Sequence, residues 1–225
     1  MNSHSVSTSR TPPKPRKVPV QARSTITVKA IHTACIQVLL DGGLDRMTTT
    51  RVAARAGVSV GSLYQYYPNK HSLLAAVLNE YLTQVVEAVE DACRQSHGQE
   101  TTAMASAVVE AFFKIKFAEP GVSHALHAVA AEVSGEEVVR RATLRSQKAF
   151  EVMLSTASDR HFEDPALAAF VLSTVGIGPV QALLSSEAPP PVVDAVRRHL
   201  TAMTIAYLRE VGISRKPALK VGRVR

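Results

Sequence analysis

The sequence predicts an all-α protein: an N-terminal three-helix helix-turn-helix domain followed by a C-terminal helical bundle. Three observations predict it. Of 225 residues, 46% are apolar but only 5% aromatic, with no Trp. Ala, Val and Leu dominate at helical spacing, and sustained period-2 alternation is hard to find. The stretch Thr48 to Lys70, TTTRVAARAGVSVGSLYQYYPNK, reads as two short helices around a tight turn.

Residues 1–20 are rich in Ser, Thr, Pro and basic residues and cannot bury enough surface to order themselves. They are expected to form a disordered basic arm, which either touches phosphates or a minor groove or does nothing. A first helix is expected from about Gln21 to Leu40. Ile26, Ala30, Ala34 and Val38 recur at fourfold spacing, with Ile31, Cys35 and Leu39 alongside. Asp41-Gly42-Gly43 ends it. Thr48 to Thr50 can cap the next helix, whose apolar face carries Val52, Ala53 and Ala56. Gly57 follows where the left-handed conformation is needed. Ser59 can cap a second helix anchored by Val60, Leu63 and Tyr67, and Pro68 stops it.

Asn69 can cap a long helix running to about Arg94, roughly 35 Å at 1.5 Å per residue. Its stripe includes Leu73, Leu74, Val77, Leu78, Tyr81, Leu82, Val85, Val86 and Val89. Gln95 to Gly98 form a break. Further helices are expected over about 99–118, closed by Glu119-Pro120-Gly121, then 122–133 and 136–158. Asp164-Pro165 suits the start of an apolar helix to about Ser185, interrupted by Gly176, Gly178 and Pro179. Pro189 to Pro191 lead into the last helix, to about Val211. The expected divisions are the arm (1–20), a helix-turn-helix domain (21–70), a ligand-binding and dimerisation body (71–212), and a flexible basic tail (213–225).

Charge is unevenly distributed within the net +7. Residues 1–75 hold ten Lys and Arg against Asp41 and Asp45, a net of +8. Residues 76–210 hold eleven against seventeen Asp and Glu, a net of −6, and the last fifteen residues add five basic ones. Positive charge gathers around the helix-turn-helix, as phosphate binding requires.

Cys35 and Cys93 lack metal or redox spacing and read as buried free thiols in a reducing compartment. The N-terminus has no long apolar region, and no run approaches the ~18 apolar residues of a membrane span. A soluble, cytoplasmic protein without membrane contact is expected.

The residues from Gln21 to Leu82 resemble the DNA-binding domain of the TetR family of transcriptional regulators. Gly57-Val58-Ser59, Gly61, Leu63-Tyr64, Tyr66 and Lys70 stand where that family's motif places them. Tyr67 departs from the commoner Phe, and Leu39 from a frequent aromatic. The body matches only in layout. The resemblance implies that Thr49 and Lys70 meet phosphates and that Ser59, Val60, Gly61, Ser62, Tyr64, Gln65 and Tyr66 face DNA. That reading helix carries no Arg or Lys, so bidentate Arg to guanine is not available to it. Gln65 can pair with adenine, and Val60 can pack on a thymine methyl.

The resemblance also implies that the body dimerises and holds a ligand. A dimer would present two recognition helices about 34–36 Å apart to a palindromic operator in double-stranded DNA. Leu167, Phe170, Val171, Thr174, Ile177, Leu183 and Leu184, with Val196, Leu200, Met203, Ile205 and Tyr207, are candidates for its face. Phe112, Phe113, Phe117, His124, His127, Met153 and Phe170 are candidate pocket residues for a mostly apolar effector. The same residues at helical spacing also suit plain core.

His124 and His127 with Glu132, or Cys93 with His97, fall short of the three or four ligands a metal site needs. No nucleophile elbow, phosphate loop or metalloprotease pattern appears, so neither enzyme activity nor a cofactor is expected. Glu136, Glu137, Arg140 and Arg141 read as a solvated face. The expected protein is a homodimeric, ligand-responsive regulator, a repressor first and an activator second. The alternatives are a non-inducible or architectural DNA-binding protein, and a small-molecule enzyme or carrier.

Overall fold

The computed structural model describes residues 20–133 and 135–215. Among them ten α-helices follow in order: α1 (Val20–Gly42), α2 (Thr49–Ala56), α3 (Val60–Tyr66), α4 (Lys70–Gln95), α5 (Thr101–Ala118), α6 (Pro120–Glu132), α7 (Glu136–Ser155), α8 (Pro165–Val175), α9 (Ile177–Ser185) and α10 (Pro190–Val211). Two short strands, β1 (Arg160–His161) and β2 (Ile213–Ser214), pair antiparallel, with Arg160 opposite Ser214. The basic arm up to residue 19 and the tail from residue 216 lie outside the described residues.

Local chemistry fixes the head. Thr48 caps α2 by accepting from Arg51 N–H, and Gly57 ends it at φ 69°. Ser59 caps α3 through Ser62 N–H. A reciprocal capping box between Asn69 and Ser72 starts α4. Val52, Ala53 and Leu63 bury where the helices cross, and Ile31, Cys35, Val38 and Leu39 of α1 close the core above them.

That core does not stop at residue 70. Leu73, Leu74, Val77 and Leu78 of α4 belong to it, and so do Val122, Leu126 and Val129 of α6. Farther along α4, Val89 and Cys93 join a second core with Met104, Phe150, Met153 and Leu208. A third holds Val109, Phe113, Val180, Leu183, Leu184 and Leu200. Helix α4 is therefore the spine shared by head and body.

Several details of the body differ from the sequence reading. Pro120 opens α6 rather than closing the helix before it, because its missing N–H costs nothing at a first turn. Helix α7 ends at Ser155, leaving residues 156–159 to turn the chain. Asp159 then reaches back to cap α5, accepting from Thr101 N–H and Thr101 Oγ1, both at 2.8 Å. Ile213 and Ser214, assigned to a flexible tail, pair with β1, and Arg160 donates to the carbonyls of Arg209 and Gly212. The solvated face agrees with the sequence reading: Glu137 makes intrahelical pairs with the exposed Arg140 and Arg141, at 2.8 and 3.7 Å.

Residues 165–185 do reach the length and apolarity of a membrane span, contrary to the sequence expectation. The chain breaks at Gly176 into α8 and α9, both shorter than a bilayer needs. Leu167, Phe170 and Ile177 stay exposed on these helices, as does Met203 on α10. Leu183, Leu184 and Leu200, candidates for the same face, are instead buried in the chain's own core.

Candidate DNA-reading face and body cavity

Helix α3 presents Tyr64 and Gln65 to solvent, with Ser62 and Val60 half-buried beside them. Tyr64 is 48% exposed although aromatic, and its hydroxyl meets Thr49 Oγ1 at 3.2 Å, across the two helices of the motif. Ser59 Oγ and Ser62 Oγ share a hydrogen bond of 2.8 Å at the start of α3. A Cβ on Gly61 would meet only Ser59 Oγ, at 3.8 Å. No packing within the chain demands glycine there. Tyr66 is partly buried against the head core.

Three basic groups are already engaged. Lys70 Nζ donates to the Leu44 carbonyl at 3.2 Å, which spends one of its three donors and leaves two. Arg55 pairs with Asp41, and Arg51 donates to the Arg46 carbonyl at 3.0 Å. Of the expected DNA-facing residues, Ser59, Gly61, Tyr64 and Gln65 are exposed, Thr49, Ser62 and Lys70 are half-buried, and Val60 packs against the head core as Tyr66 does.

One unit behind α3 had no signal in the sequence. His32 of α1 is 8% exposed, and its Nδ1–H donates to the Glu80 carboxylate of α4. The Tyr67 hydroxyl donates to His32 Nε2 at 2.6 Å. Burial, then the nearby Glu80 carboxylate, push the Tyr67 phenol above its ordinary value. The departure from Phe at this position has a physical reason here, since Phe offers no hydroxyl.

The body holds a cavity of about 200 Å³ lined by residues of all seven helices from α4 to α10. Its walls are chiefly aliphatic, with Phe112, Phe150 and Met153. Of the expected pocket residues, Phe112, His127 and Met153 line it. Phe113, Phe117, His124 and Phe170 do not. Phe113 is buried in the third core with Phe117 stacked on it at 5.6 Å, and Phe170 points outward from α8.

Sequence reasoning missed the α4 side of the wall, Leu78, Tyr81 and Leu82, because its stripe read as core. It also missed Lys116, the one Lys or Arg of the wall among the described residues. Lys116 Nζ lies 5.0 Å from the centre of the Tyr81 ring, and the Tyr81 hydroxyl donates to Ser123 Oγ at 2.7 Å. The His127 imidazole is held below its ordinary pKa by partial burial and by Lys116 and His124.

Residues 31–77 match the family model described as bacterial regulatory proteins, tetR family. Residues 102–208 match the tetracyclin repressor-like C-terminal domain, and the two together span more than two thirds of the chain. The chain belongs to the TetR family.

Matches to individual TetR-family relatives are partial. A nucleoid occlusion factor, SlmA of Pasteurella multocida, is 49% identical over 37 residues, 16% of this chain and 19% of its own. The regulator BetI of Cronobacter sakazakii is 31% identical over 101 residues, 45% of this chain and 47% of its own. The chain therefore matches less than half the length of these curated relatives. The crystal structure of a TetR-family regulator from Marinobacter aquaeolei superposes with a TM-score of 0.63 at 18% identity, covering 87% of this chain and all of that one. That likeness concerns the fold.

Proposed function

We propose that the protein is a homodimeric repressor that binds a palindromic operator through α3 and leaves it when a mostly apolar small molecule fills the body cavity. One observation carries the switch: Leu78 of α4 and Leu126 of α6 line the cavity and also pack the head core. A ligand that moves either side chain acts on the base of the helix-turn-helix without an intermediary. The effect equals the ligand's differential affinity for two poses of α4 and α6, typically about 1–3 kcal/mol.

On DNA, Thr49, Tyr64 and Lys70 position the motif on phosphates, and Val60, Ser62 and Gln65 read base edges. The exposed Leu167, Phe170 and Ile177 of α8 and α9, with Met203 of α10, support a partner-covered face, here a second copy of the chain. The buried free thiols of Cys35 and Cys93 accord with action in the reducing cytoplasm. No enzymatic role is assigned, and the open cavity argues against the alternative of a body that only dimerises.

Selection of binding sites from random duplex DNA, at two salt concentrations, tests this reading. Inverted half-sites with centres about one helical turn apart are expected, with an A·T pair opposite Gln65. Gln65→Ala should relax preference at that one position by about 1–3 kcal/mol. A pool without enriched sequence contradicts the reading.

A further inference from the structure

The cavity has a chemical asymmetry that bears on what fills it. Residues 76–210 hold seventeen Asp and Glu, yet among the described residues no carboxylate lines the cavity. The body is acidic outside and free of acid within. The wall carries one permanent cation, Lys116, and one imidazole, His127, on the neighbouring helices α5 and α6. Lys116 forms no ion pair among the described residues. Its ammonium lies over the face of Tyr81, and among the described residues its three N–H donors are unspent.

A partly exposed ammonium at an apolar wall, with no counter-ion among the described residues, has donors open to a charged ligand group. A cationic ligand would add a like charge to it with no carboxylate to offset the cost. A neutral ligand would leave it as it is. An anionic group would accept from those donors, while the aliphatic remainder of the wall, Leu82, Val85, Val108 and Leu172 among it, takes an apolar tail.

Resting on the ligand-responsive reading above, we propose that the effector is an acid-headed amphiphile, its anionic group held between Lys116 and His127 and its apolar tail in the cavity. Head and tail then pull on different elements. The acid draws Lys116 of α5 towards His127 of α6, one residue from Leu126. The tail bears on Leu78 and Leu82 of α4. The lowered proton affinity of His127 in the empty cavity fits a ring that gains stabilisation as imidazolium when an anion arrives.

Calorimetric titration of the full-length protein with dodecanoate, dodecan-1-ol and dodecylamine, each below its micelle concentration, tests the proposal. Dodecanoate is expected to bind at least tenfold tighter than the alcohol, and the amine weakest. Lys116→Met should bring acid and alcohol within threefold, Lys116→Arg should keep the gap, and Lys116→Glu should favour the amine. Lys116 is half-exposed, so none of these variants empties the core. Equal binding of acid and alcohol, both releasing operator DNA, overturns the acid head and leaves the switch standing. Tighter binding of the amine to the unmodified protein, or an acid preference that survives Lys116→Met, also overturns it. Failure of all three probes to bind overturns the amphiphile cavity itself.

Discussion

Tyr67, the residue that ends the recognition helix α3, donates its hydroxyl to His32 Nε2 of α1 at 2.6 Å. The opposite nitrogen of the same ring donates to Glu80, halfway along α4. Glu80 precedes Tyr81, which faces the cavity. A single buried imidazole therefore fixes the end of the reading helix to the spine that the ligand would move.

Tyr67→Phe should remove one hydrogen bond and leave His32 Nε2 without its partner. The expected cost is about 1–3 kcal/mol in urea denaturation, because the ring is buried. His32→Ala should cost at least as much and weaken operator binding, since the link from Tyr67 through the imidazole to Glu80 is lost. A Phe variant as stable as the unmodified protein would show that the hydroxyl contributes nothing.

Gly61 separates folding from recognition. A Cβ there meets only Ser59 Oγ, at 3.8 Å, and Ala favours helix by up to about 1 kcal/mol over Gly. Gly61→Ala should therefore melt at or above the unmodified temperature while binding its operator more weakly. Lower stability with unchanged DNA affinity would assign the glycine to the fold instead.

Alkaline pH probes the two cores. Burial pushes Cys35 and Cys93 up to about 12 from an ordinary thiol value near 9. Both folded-state values lie above the unfolded ones, so this stability is complete below about pH 9 and is lost as pH rises towards 12. Tyr67 and Tyr207 shift the same way. The melting temperature should fall across that window, and less steeply in a Cys35→Ala, Cys93→Ala double variant. Thiol reagents should titrate both cysteines only after unfolding.

What the sequence made legible was local. Thr48, Gly57, Ser59, Asn69 and Asp164 cap or end helices through groups within a few residues, so their roles can be read from neighbours alone. The cavity depends on which helices face one another, and periodicity carries no such information. Phe112 lines the cavity whereas its neighbour Phe113 lies in the third core. The Asp159 cap on α5 lies 58 residues from Thr101, and the His32 tether to Glu80 spans 48. The strands at 160–161 and 213–214 are too short to leave a pattern. Nothing in the sequence singles out Lys116, because its lack of a counter-ion among the described residues is visible only in three dimensions.

The central claim is that α3 reads sequence. Fluorescence anisotropy tests it most directly, comparing the selected duplex with a scrambled duplex of equal length and composition at the same salt. The account predicts binding to the selected duplex tighter by about 10³ or more. Affinities within threefold of each other would contradict it.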